Sequence, residues 1–382
     1  MSGDEKPRKK ARGLIRVAFS LISLAVLAYI VITLISGRDS IFKRFVGLFS
    51  SREPVEIVDE YSFEAGRSRV FADMGGAIAA VGTLGVQVLD RGGNELLRDP
   101  FRMSAPGVDA SGGRAIAFDI GGTAVRVFSA EDMEAAFETE SAVVSASINE
   151  NGWFCVNIRE SGGYSGVVTV YNNLGKDVYR VSLASGYVLA SMLSADNKKL
   201  VILTLMEGGS KITQYDLGSE SPDNEFILTD RLIIDIRFLP GGDILAITTD
   251  SLIAVDKNGK GAELYWFAGK RLGGYALGDG FVALHLLDYG IGYAGRLVTL
   301  DNEGTFLGTI AIDYEIISIS SCERHLAVLR SDGIEMFDME LGWIPCSTPP
   351  EASAGVGGVL ALSDGAALAT SDHLAVVIRF EN

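Results

Sequence analysis

RAIAFDIGGTAVRVFS, residues 114–129, places two short runs of β-forming and apolar side chains on either side of a glycine turn. Gly121 and Gly122 supply what a tight hairpin requires, because glycine takes positive φ without a Cβ clash. The same plan recurs in both directions along the chain. A β run, a short polar or glycine turn, a second β run and then usually an acid-led turn begin at Ala77, Arg114, Trp153, Leu200, Asp243, Phe281, His325 and Ala367. Consecutive starts lie 37 to 47 residues apart, which leaves room for four short strands per period. A further strand precedes most of the pairs, as in LIIDIRFLP (232–240) and EIISISS (315–321). Four strands in about forty residues is the signature of a β-propeller blade. The expected fold is therefore an all-β propeller of eight four-stranded blades, or seven if one segment is misparsed. Forty-five glycines against nine prolines fit such a turn-rich chain.

The eighth unit reaches Asn382 after three strands. VEIVDEYSF, residues 55–63, alternates with period two and is the natural outer strand for it, tying the ring closed and leaving no free edge. The propeller domain is thus expected over 55–382. Acids that end the third strands (Asp90, Asp216, Asp256, Asp301, Asp338) open turns in which a glycine two to four residues later takes positive φ.

Charge divides the chain. Residues 1–52 carry ten Lys/Arg and three Asp/Glu, net +7, whereas the other 330 residues carry 23 and 46, net −23. So acidic a body excludes nucleic acid as a partner, since phosphate affinity needs clustered cations. VAFSLISLAVLAYIVITLISG, residues 17–37, contains no charge and is long enough to span a hydrocarbon core of about 30 Å as a helix. It is too long for the apolar region of a cleaved signal peptide. Six basic residues precede it, so 1–16 reads as a cytoplasmic tail, 17–37 as a membrane anchor, 38–54 as a juxtamembrane linker and the propeller as extracytoplasmic. Arg38, Lys43 and Arg44 on the far side weaken that bias, and IFKRFVGLF (41–49) reads equally as an interfacial helix or as a continuation of the anchor. The implied partners are the membrane itself and an envelope or membrane protein.

The core of the opening stretch, DIGGT (119–123) with Arg126 three residues on, is similar to the phosphate loop of repressor–kinase-type sugar kinases. In that family a β-hairpin carrying Asp-x-Gly-Gly-Thr approaches ATP phosphates. Such a kinase also needs long helices and a second acidic motif, and no amphipathic helical pattern of useful length follows here. GIGYAG (290–295) matches the dinucleotide fingerprint in letters, but a strand, RLVTL, follows it where the fingerprint requires a helix. DKNGKG (256–261) lacks the position-12 glutamate of a calcium loop. No cofactor or metal site is expected.

His285, His325 and His373 occupy equivalent second-strand regions of three blades and read as core or turn residues, so no catalytic set is expected. Cys155, in WFCVNI, reads as a buried small hydrophobe, and an oxidising compartment would allow Cys322 to bridge Cys346. Asp235 and Arg237 stand out because first strands line the central channel and are otherwise apolar. They are candidates for ligand contact, against the plainer reading of mutual pairing or hydrogen bonding to a neighbouring blade. Tyr164, Tyr289 and Tyr293 lie in the two longest second-to-third-strand loops and are candidate partner contacts, against packing on loop glycines.

The repeats resemble the broad WD-repeat and quinoprotein-like propeller group, although Gly-His and Trp-Asp dipeptides are missing and only Trp153, Trp266 and Trp343 could serve a docking motif. With the apolar segment 17–37 in front, the whole chain resembles an uncharacterised group of membrane-anchored, propeller-like proteins from Gram-positive bacteria, a domain of unknown function. That resemblance implies fold and location. The expected function is a non-enzymatic binding or scaffolding module, with an enzyme or ligand sensor built in the central funnel as the alternative.

Overall fold

A computed structural model describes residues 57–62, 65, 69–290, 292–345, 356–371 and 374–380. The basic tail, the apolar segment 17–37, the linker, Cys346 and His373 lie outside the described residues. Among the described residues no helix is long and apolar enough to cross a membrane.

Eight antiparallel four-stranded sheets follow one another. Blades 1 to 7 span residues 70–100, 106–138, 143–183, 187–229, 233–266, 271–312 and 316–344. In each, consecutive strands pair in order from the innermost to the outermost. Blade 8 takes three strands from 356–378, and its outer strand is Ile57–Ser62, which pairs antiparallel with Leu374–Ile378. The two middle strands of a blade are covered on both faces by the neighbouring blades. Ala77–Gly82 and Phe281–Leu287 are accordingly buried throughout, whereas the outer strands Glu95–Pro100 and Pro222–Thr229 alternate between half-buried and exposed. Burial on both faces is what turns a second strand into a continuous apolar run in the sequence.

Eight apolar clusters fill the eight seams between adjacent blades, including the seam where blade 8 meets blade 1. Each seam joins residues distant in sequence, so no blade is stable by itself.

The acid-led turns form as the residue types dictate. The Asp90 carboxylate accepts the Gly92 and Asn94 N–H groups, and Asp256, Asp301 and Asp338 repeat the pattern two and four residues on. Hydrogen bonds from Asn94 hold the Asp90 carboxyl below its ordinary value, and those from Lys260 and Asn258 do the same for Asp256. Three residues after Asp90 the chain takes positive φ at Gly93 (79°). After Asp338 that position falls on Leu341 (63°) rather than on the glycine that follows it. The geometry of the turn places the strain, and the nearest glycine does not always occupy the site.

Candidate docking face

A propeller has two faces. On one, the second-to-third-strand turns and the blade-to-blade connections open; we call it the connection face. The other carries the first-to-second and third-to-fourth hairpins, and we call it the hairpin face. Sixteen large apolar side chains are exposed among the described residues. Only Leu174 and Phe306 stand on the hairpin face, and Leu96, Val178 and Ile227 lie along outer strands. The other eleven are on the connection face.

Local backbone geometry puts them there. Leu84, Ile120, Tyr164, Tyr289 and Tyr293 sit in or beside second-to-third-strand turns, while Tyr187, Leu232 and Trp266 flank the blade connections. The remaining three have a common origin. In blades 3 to 8 the register of the innermost strand slips by one residue near its start, at Val144, Leu189, Ile234, Gly273, Ile317 and Gly357. A bulged residue has no partner opposite it and turns away from the sheet face it would otherwise pack on. Leu189, Ile234 and Ile317 are thereby 36%, 41% and 43% exposed at the mouth of the channel. Alternation alone would bury them.

The three sequence-selected tyrosines are exposed: Tyr164 by 44%, Tyr289 by 84% and Tyr293 by 50%. Asp235 and Arg237 lie elsewhere, on the innermost strand of blade 5, and bond across the seam to blade 6. The Tyr275 hydroxyl donates to Asp235 Oδ2 at 3.0 Å. Arg237 donates through Nη1 to the Gly278 carbonyl at 2.6 Å and through Nη2 to Asn302 Oδ1 at 3.0 Å. Burial pushes the Asp235 carboxyl up and the Arg237 guanidinium down from their ordinary values.

Sequence reading missed the other polar groups near the channel. Asp109, on the innermost strand of blade 2, accepts the Ile148 N–H of blade 3 at 2.9 Å. Burial, reinforced by the negative charge of Asp235, raises its carboxyl to about 6. Between blades 3 and 4 a continuous chain of hydrogen bonds joins Ser147 and Ser191 to the Cys155 thiol at 3.1 and 3.0 Å, Ser191 to Asn157, Asn157 to Ser145, and Ser145 to the Leu189 carbonyl. Cys155 is wholly buried and is also a member of a polar seam, and burial raises its thiol. These side chains are short, and no spacing in the sequence marks them. Only the alignment of the first two strands of blade 3 with the innermost strand of blade 4 brings them together.

The stretch 119–123 is a turn between the second and third strands of blade 2, with Gly121 at φ 83°. Asp119 does more than open that turn. It is 7% exposed, and its Oδ1 accepts the Ser104 and Ala105 N–H groups at 2.8 Å, pinning the connection that enters the blade. Arg126 pairs with Asp99 at 3.3 Å and lies over the Phe101 ring, both belonging to blade 1 and the connection after it. The residues that suggested a phosphate loop thus face other parts of the propeller. In GIGYAG the strand Gly295–Asp301 follows the loop. His285 is buried under Gly273, where an added Cβ would lie 2.8 Å from the imidazole, and burial lowers its pKa.

A cavity of about 440 Å³ opens against blade 1 beside Leu84, Arg98 and Phe101. Ala65, whose neighbours in the chain lie outside the described residues, also lines it, and no site is built on it. Among the described residues, no three His, Cys, Asp or Glu side chains form a metal-binding group.

The fold is similar to that of the C-terminal WD40 domain of Sif2, with a TM-score of 0.60 at 13% identity over 87% of this chain and 100% of that one. It is also similar to the β-propeller domain of Cps50 (Swd1) from Myceliophteria thermophila, with a TM-score of 0.52 at 13% identity over 76% and 98%. At such identities the likeness is one of fold. No curated protein matches the sequence. A family model does, over residues 51–340: the chain belongs to DUF5711, a family of unknown function with a WD40-like β-propeller fold.

Proposed function

We propose that this protein is a non-enzymatic binding or scaffolding module that docks an envelope or membrane protein on its connection face. The observation that carries this reading is the one-sided distribution of exposed apolar side chains, eleven on the connection face against two on the hairpin face. Soluble surfaces scatter such residues singly, and their concentration on one face marks an interaction surface. The polar side chains nearest the channel support a structural role there, because Asp109, Asp235 and Arg237 bond to neighbouring blades.

In the same proposal, residues 17–37 hold the protein in the cell membrane with the N-terminus inside and the propeller outside. The 21-residue uncharged run and the six basic residues before it support this. Ile57 pairs with Ile378 at the hairpin-face end of blade 8, and Ser62 with Leu374 at the connection-face end. The chain therefore joins the ring at its hairpin-face rim, away from the docking face.

Photo-crosslinking residues placed at Leu84, Ile120, Leu174 and Phe306 in intact cells test the docking reading. The first two should capture one and the same protein and the last two should not. Equal capture from both faces, or none from the connection face, rejects it. Protease added to cells stripped of their wall should digest the propeller, and full protection would reverse the topology.

A further inference from the structure

A propeller leaves one open edge in every blade, along its outermost strand, where unpaired main-chain N–H and C=O groups are a template for another chain. The outer strands of blades 1 to 5 and 8 each carry at least one charged side chain, such as Arg98, Glu138, Arg180, Glu225, Glu263 and Glu60. Among the described residues that of blade 7 is two residues long, Trp343–Ile344. Phe306–Ile312 of blade 6, FLGTIAI, has seven residues and neither charge nor proline. Charge, proline and shortness are the ordinary protections of an edge, and this strand lacks all three.

Its main-chain groups point alternately in and out. The Asp301 N–H donates to the Thr305 carbonyl, so alternate residues of the third strand, Thr299, Leu297 and Gly295, also direct their main-chain groups to the outer strand. They stand opposite Gly308, Ile310 and Ile312. Thr309 and Ala311 therefore point their N–H and C=O groups away from the sheet, and both residues are exposed. The register slips at Leu307, and this bulge ends the regular edge on the hairpin-face side.

Acids stand at both ends of this neutral stretch. Glu303 lies in the turn before it, and the Glu340 carbonyl of blade 7 packs directly against Gly308. Asp313 and Glu315 follow Ile312. All four are exposed and have no ion pair among the described residues. Arg296, directly across from Ala311, is an exposed cation beside the middle of the strand. A second copy of this chain is a poor occupant. Pairing two such strands, in either direction, sets an acid-bearing end of one against an acid-bearing end of the other.

We propose that the outer edge of blade 6 takes a fifth strand from a partner protein. The strand is an extended segment, uncharged and β-forming where it passes Thr309 and Ala311, with lysine or arginine on either side of that stretch. Main-chain hydrogen bonds hold it in the extended form. Its basic flanks meet the acids at the two ends of the edge, and Arg296 keeps cations out of the middle. This rim surface is separate from the connection face, and the two readings stand or fall independently.

The test uses the full-length protein in detergent micelles and fluorescence anisotropy of short labelled peptides. The first peptide has a core of Val, Ile and Thr between lysines; controls carry glutamate flanks, N-methyl groups on alternate core amides, or lysine alone. The first should bind, weakening about threefold or more between about 50 and 500 mM salt as its flanks are screened. Each control should bind at least about tenfold more weakly. Thr309→Pro and Ala311→Pro remove outward N–H groups and spare the internal ladder, so they should keep the melting temperature and weaken the first peptide about tenfold. Thr309→Lys changes an exposed side chain, does not depend on the fold tolerating proline, and should weaken the first peptide at least about threefold. Leu174→Ala, on blade 3, should change nothing. No binding by the first peptide, equal binding of any control, or indifference to the lysine variant and to every folded proline variant overturns the proposal. A dimer of the protein dispersed by Thr309→Lys would assign the edge to a second copy and overturn it too.

Discussion

Between blades 4 and 5 the buried cluster is branched side chains but for Ala246, among them Val201, Leu203, Ile212, Ile233, Ile236 and Ile244. Between blades 8 and 1 it contains three alanines, Ala80, Ala366 and Ala375, in a set of eight, so less apolar area is available there per residue. The closing seam has a polar device in addition. Asp73 of blade 1 accepts the Ser363 N–H of blade 8 at 2.8 Å and the Arg91 guanidinium at 2.7 Å, and Arg91 also donates to Ser363 Oγ. Asp109 makes a similar reach across the seam between blades 2 and 3, but among the described residues no cation pairs with it. The chain runs from blade to blade at every seam, from Ser62 to Val70 at the closing one, and the break in the ring lies inside blade 8, between Leu374–Ile378 and the borrowed strand Ile57–Ser62. Directional contacts cross interior seams too, as at Asp109 and Asp235, but the closing latch joins residues almost three hundred positions apart. What sets the closing blade apart is that a ladder of strand pairing, rather than a hairpin turn, holds its outer strand in place.

Removing the closing strand tests that contrast most severely. A chain beginning at Gly66 leaves the third strand of blade 8 as an open edge, and should aggregate or lose its cooperative melt, whereas one beginning at Ser51 should not. Equal melting temperatures would show that the seam closes without the strand.

Leu203→Ala opens a cavity in the seam between blades 4 and 5 and should cost about 2–5 kcal/mol in denaturant unfolding. A loss below about 1 kcal/mol would mean that this seam relaxes as freely as a surface.

Asp73→Ala should cost about 1–3 kcal/mol, since it strips the Ser363 N–H and Arg91 of a buried acceptor. Asp119→Ala should cost a similar amount by orphaning the Ser104 and Ala105 N–H groups, and Asp256→Ala, in an exposed turn, at most about 1 kcal/mol. Equal losses at Asp73 and Asp256 would remove the latch from the comparison. ATP with magnesium should leave the melting temperature of the protein unchanged, because only a ligand that binds the native state moves it. A rise abolished by Asp119→Ala would restore a phosphate-binding role to that turn.

The smallest effect separates the two aspartates by pH. The Asp109 carboxyl, raised from 3.8 to about 6, keeps its proton in the folded chain at pH values where the unfolded chain has released it. Its contribution to stability is therefore full below about pH 4 and is lost as pH rises through about 6. Asp109→Asn keeps an oxygen for the Ile148 N–H, so its melting temperature relative to wild type should climb between those values. A flat difference would show that the carboxylate is ordinary.

Eight repeats of four strands were legible from residue order because a blade is a local object. Its two middle strands are buried on both faces and therefore read as unbroken apolar runs, and its turns need Asp and Gly at short, regular offsets, as at Asp90 and Gly93. Exposure of Tyr289 and Tyr293 was open to the same reading, since a long glycine-rich loop cannot be buried in a blade. Tyr164 belongs to no long loop, because the strands extend to a two-residue turn, Gly162–Gly163, and it opens the third strand of blade 3. Other features depend on which strands come to lie side by side. Asp119 looked like a turn residue because the N–H groups it accepts, at Ser104 and Ala105, come from a connection fifteen residues earlier. Nothing in the sequence marks Leu189, Ile234 and Ile317 as exposed, and a one-residue slip in pairing turns each of them to the channel mouth. Composition and periodicity determined the blade, its number of strands and the acidity of the body. Tertiary structure alone decided which polar side chains cross the seams and which face collects the exposed apolar ones, because both follow from register between strands, a long-range property that no local pattern encodes.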